Sequence, residues 1–278
     1  MRLDGATIPI EERTVGEGID LAVRLCIVEA RALLLLVAVF AIPACALVYT
    51  LTWLFGFGFV WAALSFGLLS PIFGAIIVAG MGPRVFGEEF SLHAASRLVR
   101  NHLGAILVVL WGPRLACGLV VLALAVLSPW LAVTIALAVL VPFVGARSSL
   151  VREVILLENL RGDEYRQRVR DLRRGSAVPQ VGWYFASVSF LAFGSVTLFL
   201  IADIFSTWVL GVPMVYGQIP LLTGEVDLAD LLYRIRVEPL PITVVSAFAW
   251  LFYPVTRTVM LLAYLDARIT RECWDISL

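Results

Sequence analysis

Six blocks of apolar residues, each near the length a helix needs to cross about 30 Å of hydrocarbon, dominate this 278-residue chain. They run Ala32–Phe55, Phe57–Met81, Leu103–Leu127, Trp130–Ala146, Val181–Val212 and Leu240–Leu265. A backbone in hydrocarbon must satisfy its own hydrogen bonds, so each block reads as a helix. Gly56, in an FGFGF tract, separates the first two, and Ser128-Pro129 the next two; each pair reads as a helical hairpin. The chain is 61% hydrophobic and 15% charged, whereas a soluble domain is about 45–50% apolar and about 25% charged. A soluble globular enzyme, a disordered chain and a nucleic-acid binder all fit this composition poorly. The expected fold is all-α: one polytopic membrane domain over 1–278, with six transmembrane helices plus cytoplasmic amphipathic helices.

Charge placement sets the expected orientation. The net charge is zero and all 21 basic residues are Arg, most simply a GC-rich coding bias. Arg2, Arg13, Arg24 and Arg31 lie in segment 1–31; Arg84, Arg97 and Arg100 in 82–102; eight more in 147–180; Arg268 and Arg271 in the tail 266–278. The opposite loop, 213–239, holds only Arg234 and Arg236. Basic residues accumulate on the cytoplasmic side, so six spans with both termini in the cytoplasm of a bacterium are expected. Hairpins 32–81 and 103–146 and the pair of spans in 181–265 follow. The first twenty residues carry acids and no apolar core, so they are no signal peptide, and the first span serves as an uncleaved insertion signal. Asp227 is expected to cap a short helix, 227–235, in a small outer lid.

Each cytoplasmic segment has helical periodicity. In 16–31, Ile19, Ala22, Val23, Cys26 and Ile27 form a stripe opposite Glu17, Asp20, Arg24 and Arg31. In 87–102, Phe90, Ala94 and Leu98 oppose Glu88, Arg97 and Arg100. In 148–175, broken at Gly162, Leu150, Val154 and Leu157 oppose Arg152 and Glu153. Such helices lie in the headgroup layer with Arg near lipid phosphate, or form a partner-docking surface. GEGIDL (16–21) matches GEEFSL (87–92), so the chain reads either as three copies of a helix-plus-hairpin unit or as loops that are amphipathic because they enter a membrane.

Three charges fall inside spans, where charge is costly and by default functional: Arg114, Arg257 and Asp203. At helical rise Asp203 lies about 33 Å along its span from the inner edge, Arg114 about 17 Å and Arg257 about 12 Å, so Asp203 pairs with neither. Each Arg either bonds carbonyls freed by its nearby proline (Pro113, Pro254), reaches a carboxylate of the cytoplasmic helices or a headgroup, or lines an anion pathway. No acid or His lies at mid-depth, which argues against a proton-coupled pump. HExxH, GxSxG and phosphate-loop patterns are absent, Glu88 and Glu89 would diverge on a helix, and the four cysteines lack metal or disulfide spacing. No catalytic residue, cofactor or metal is expected. Small residues of the second span (Ala62, Ala63, Gly67, Gly74, Gly80) suit close packing and lateral association. Trp53, Trp61, Trp130, Trp183 and Tyr184 are placed as an interfacial belt.

The C-terminal stretch YLDARITRECWD presents Tyr264, Asp266, Arg268, Ile269, Glu272, Trp274 and Asp275. With TVGEGIDLAVRL (14–25) and LLENLRG (156–162), it resembles a group of bacterial multi-pass proteins similar to the membrane domain associated with glycerophosphodiester phosphodiesterases. The resemblance implies the six-span organisation and no activity. No phosphodiesterase domain is attached, and the middle stretch lacks the Arg-Ser-Trp continuation common in the group. The expected function is a non-enzymatic membrane scaffold or accessory subunit, with a protein partner or homo-oligomer in the bilayer. The alternatives are a transporter or channel for a small or lipid-like solute, and the membrane half of a split lipid-headgroup enzyme.

Overall fold

The computed structural model describes residues 14–127, 145, 150–158, 160, 163–173, 177–211, 214 and 238–272, and every regular element among them is helical. In order these are α1 (Val15–Val28), α2 (Ala30–Phe55), α3 (Gly58–Val85), α4 (Leu92–Asn101), α5 (Leu103–Ile106), a π turn (Leu107–Trp111), α6 (Gly112–Leu127), α7 (Val151–Leu157), α8 (Asp163–Arg173), α9 (Ala177–Phe205), a second π turn (Ser206–Leu210) and α10 (Pro239–Glu272). Five stretches, Ala30–Phe55, Gly58–Val85, Leu103–Val120, Gln180–Val209 and Pro239–Thr270, are long and apolar enough to cross a membrane. They match five of the six expected spans and make this a multi-pass membrane protein. The remaining block, Trp130–Ala146, lies outside the described residues except for Gly145, as do the 227–235 helix, Trp274 and Asp275.

By its contacts the chain divides into two compact units. One comprises Leu35–Leu69 and Phe190–Phe252. Here α2 turns into α3 through Gly56 and Phe57, both at positive φ (70° and 60°). Glycine enters that region freely, whereas phenylalanine does so at a steric cost. Trp61 Nε1 donates to the Gly56 carbonyl at 2.8 Å and pins the turn. Aromatic pairs fill the interior: Phe66 on Trp250 (4.8 Å between centroids) and Phe190 edge-on to Phe252 (5.7 Å). Trp208, 83% exposed, and Phe193 face outward as lipid-facing side chains do.

The other unit comprises Met1–Leu34, Ser70–Ser189 and Tyr253–Leu278. Its centre is the second half of α3, where Phe73, Ala75, Ile77, Val78 and Met81 are buried. Gly74 lies against Arg152 and Tyr253, Gly80 against Phe90, and Gly82 against Leu157. Gly74 and Gly80 of the small-residue face are thus filled by the chain's own side chains, whereas a side chain at Gly67 would meet nothing within 4 Å. Trp183 is no belt residue: it is buried, with its ring over Gly18 of α1. A side chain at position 18 would collide with that ring, so Gly18→Leu is expected to lower stability by about 1–3 kcal/mol, measured by thermal unfolding in detergent.

Local sequence explains where α1 and α4 begin; the expected face of α1 holds except at Ile27, and that of α4 is corrected. Thr14 and Glu17 form a reciprocal capping box: the Glu17 N–H donates to Thr14 Oγ1, and the Thr14 N–H donates to Glu17 Oε2 at 2.8 Å. Ser91 caps α4 by accepting from the Ala94 N–H at 3.3 Å. The Gly-Glu of 16–17 is therefore helical, whereas that of 87–88 precedes its helix, with Gly87 at φ 85°. The two stretches match as letters and differ as structure. In α1 the buried residues are Gly18 and Ala22, while Ile27 is exposed; in α4 they are Ala95 and Val99, one residue (about 100° of rotation) past the expected stripe.

Cys26, on α1, points at α10, with Sγ 3.5 Å from the Thr258 hydroxyl. Burial pushes its thiol up to about 11. Because the thiolate is the nucleophile, alkylation of Cys26 near neutral pH is expected to be about a hundredfold slower in the folded protein than after denaturation, as peptide mass spectrometry can follow.

Candidate functional site: a buried charge seam between α7 and α10

On α10, Tyr253, Arg257, Tyr264 and Arg268 are spaced by four, seven and four residues. At about 100° per residue these positions share one helix face, a polar stripe. The stripe is met by α7 and the residue after it. The chain enters α7 through Leu150, fully buried and left-handed (φ 65°), a rare conformation for a bulky residue. From Val151 to Leu156 every residue of α7 is buried. Arg152 and Glu153 are included, at 2% and 0% exposure. The expected surface helix with these charges toward headgroups is therefore corrected: α7 packs inside its unit. Its apolar residues Val151, Val154, Ile155 and Leu156 leave no polar face apart from this pair, and a helix apolar all round is buried.

Adjacent residues on a helix diverge by about 100°, and the two charges take different partners on the α10 stripe. Arg257 Nη2 donates to Glu153 Oε1 at 2.5 Å, an ion pair whose side chains are 11% and 0% exposed. Arg152 Nη1 donates to the Tyr253 hydroxyl at 3.4 Å, and that hydroxyl donates to the Ser70 carbonyl at 3.0 Å. Tyr253 also stacks on Phe73 (5.4 Å between centroids). Burial and the nearby Arg257 guanidinium lower the pKa of Arg152 from its ordinary value. Three polar atoms of the seam are buried without a partner: Arg152 Nε, Glu153 Oε2 and Arg257 Nε.

Beyond α7 a second node forms on Glu158. Its Oε2 accepts from Arg168 Nε of α8 at 2.6 Å, and its Oε1 from the Tyr264 hydroxyl at 2.6 Å. Arg268 Nε lies 3.8 Å from Oε1, and Arg268 Nη1 donates to the Tyr264 oxygen at 3.4 Å. One carboxylate thus ties α8 and α10 to the end of α7. A further pair, Arg84 Nε to Glu29 Oε1 at 2.8 Å, ties the α1–α2 junction to the last turn of α3.

The expected site residues fall in different places. Arg257 engages a carboxylate of a segment expected to be cytoplasmic, the second of its three readings. Arg114 reaches back to the Leu110 carbonyl at 3.3 Å, in the π turn before Pro113, which has no N–H of its own. Arg114 is also among the electrostatic neighbours of Arg152 and Arg257. Asp203 belongs to the other unit, where it is buried and Oδ1 accepts from the Met214 N–H at 2.9 Å; it holds the chain that follows the second π turn. Of the C-terminal stretch, Tyr264 and Arg268 are in the Glu158 node, the Asp266 carbonyl accepts from the Thr270 hydroxyl, and Glu272 is the last residue of α10. Sequence reasoning missed Arg152, Glu153 and Glu158 as members of a site. The available signals were the apolar surroundings of Arg152-Glu153 and the four-seven-four spacing on α10.

Among the described residues, no group of three or more His, Cys, Asp or Glu is placed to hold a metal ion. No family model, curated protein or solved structure matches the chain.

Proposed function

We propose that this protein is a non-enzymatic scaffold or accessory subunit of a bacterial inner-membrane complex, with six spans and both termini in the cytoplasm. The observation that carries the reading is the fate of the charges in the unit rich in Arg. Glu29, Glu153 and Glu158 are each spent on joining segments distant in sequence. The charged groups that remain exposed, such as Glu164, Arg166 and Arg170 on α8, are displayed on a fixed frame. Such an arrangement suits docking of a partner on the cytoplasmic side. Membership of the bacterial group described above is part of the proposal. Its support is that two of the three resembling stretches meet: Glu158 of LLENLRG holds Tyr264 and Arg268 of YLDARI.

Isolation from native membranes in mild detergent tests the role. Co-purification of a protein partner that is lost when Glu164, Arg166 and Arg170 are neutralised together is the expected result. Recovery as a lone monomer contradicts it. A reporter fused after Leu278 tests the orientation: activity confined to the cytoplasmic side is expected, and activity outside overturns it.

A further inference from the structure

Three helices that lead into membrane spans, α1, α4 and α8, carry exposed charge, and they dispose of it differently. On α1 the charges are of both signs and settle locally: Arg24 Nη2 lies 2.9 Å from Asp20 Oδ2, and Glu17 is held in the Thr14 cap. On α8, exposed Glu164 and Asp171 stand among exposed Arg166 and Arg170. On α4, LHAASRLVRN, there is no acid at all. Its exposed Arg97 and Arg100 make no side-chain hydrogen bond or ion pair with any described residue.

The helix fixes where these two charges point. Ala95 and Val99 are its buried anchors. At about 100° per residue, Arg97 lies about 160° from each of them, and Arg100 and the exposed His93 fall within about 60° of Arg97. The basic face is therefore the one turned away from the rest of the protein. It also lies toward the end of α4 that meets hydrocarbon, because α5 begins at Leu103, the first residue of a span. Arg100 precedes Leu103 by three residues and Arg97 by six. That is about 5 and 9 Å of helical rise, close to the Debye length of about 8 Å at physiological salt. The acids nearest in sequence, the exposed Glu88 and Glu89, precede the Ser91 cap at the other end of the helix.

We infer that the outer face of α4 binds the anionic headgroups of the surrounding bilayer, with the Arg97 and Arg100 guanidinium groups donating to headgroup phosphate oxygens. Charge complementarity selects this occupant. A face of one sign at the mouth of a span suits a lipid surface of the opposite sign, whereas the mixed charge of α8 suits a protein. Both side chains are exposed and clamped by no neighbour, so the face recognises negative charge and not the structure of one headgroup. This surface is independent of the docking role proposed for α8.

Native mass spectrometry of the full-length protein, released from phosphatidylcholine nanodiscs containing phosphatidylglycerol or phosphatidylserine, tests the inference. The two anionic lipids are expected to be retained equally, and both in preference to phosphatidylcholine. Arg97→Gln and Arg100→Gln are each expected to weaken anionic-lipid retention about fivefold, and together about 25-fold. Neither side chain has a partner to lose, so these variants fold as the parent chain does. Arg97→Lys with Arg100→Lys keeps the charge and is expected to stay within about twofold of the parent, as is the control pair Arg166→Gln with Arg170→Gln on α8. Phosphatidylcholine retained as well as the anionic lipids, unequal retention of the two anionic lipids, or retention unchanged in the Arg97→Gln, Arg100→Gln variant overturns the proposal. So does a loss as deep in the Lys variant or in the α8 pair. Loss of a co-purifying protein from the Arg97→Gln, Arg100→Gln variant, with lipid retention unchanged, overturns it in favour of a protein-docking face.

Discussion

Replacing Glu153 by alanine is expected to destabilise the protein by about 3–5 kcal/mol, the cost of leaving a buried partner charge uncompensated. Arg257 loses its one hydrogen-bond partner and stays charged within a buried cluster that already holds Arg152. Arg257→Ala breaks the same pair but leaves Glu153 beside the Arg152 guanidinium, so it is expected to cost less. The ordering of the two variants is therefore part of the prediction. Reversible unfolding in detergent micelles measures both. Glu153→Ala within about 0.5 kcal/mol of the parent chain would mean that the charge faces water.

The second large effect is expected at Glu158. Its carboxylate accepts from Arg168 and Tyr264 and lies beside Arg268, with the side chain 13% exposed. Hydrogen bonds to charged groups contribute about 1.5–3 kcal/mol. Glu158→Ala removes two of them and is expected to cost about 2–4 kcal/mol, reduced by the partial exposure of Arg168 and Arg268. Tyr264→Phe removes one donor and is expected to cost about 1–2 kcal/mol. Because both variants act on one carboxylate, the double variant should cost less than their sum. Strict additivity would show that Tyr264 and Glu158 do not share this bond.

Five of the six expected spans were legible in the sequence because their signal sums over some twenty residues, and no single residue can overturn it. The same sum reads α10 as one continuous helix through Tyr264 and Arg268. α7 was not legible, for two physical reasons. It has seven residues, too few for periodicity to say which side faces water, and the rule that charges face outward fails when opposite charges find each other inside. The α4 stripe slipped by one position because a ten-residue helix with two buried anchors, Ala95 and Val99, does not fix its own rotation. The match of GEGIDL with GEEFSL misled because helix starts are set by caps: Thr14 begins one helix before its Gly-Glu, and Ser91 begins the other after it. Arg257 was legible as a candidate from its depth alone. Its partner was not, since the contact joins residues 104 apart in sequence.

The arrangement at the centre of the molecule's charge chemistry is α7 buried in its unit with its charges on α10. A double-mutant cycle on Glu153→Gln and Arg257→Gln measures that arrangement most directly. Each single variant leaves one buried charge unmatched, and the double variant removes both, so the double variant is expected to be more stable than the sum of the singles implies, with a coupling of about 2 kcal/mol or more. A coupling within about 0.5 kcal/mol of zero, the range of independent sites, would contradict it.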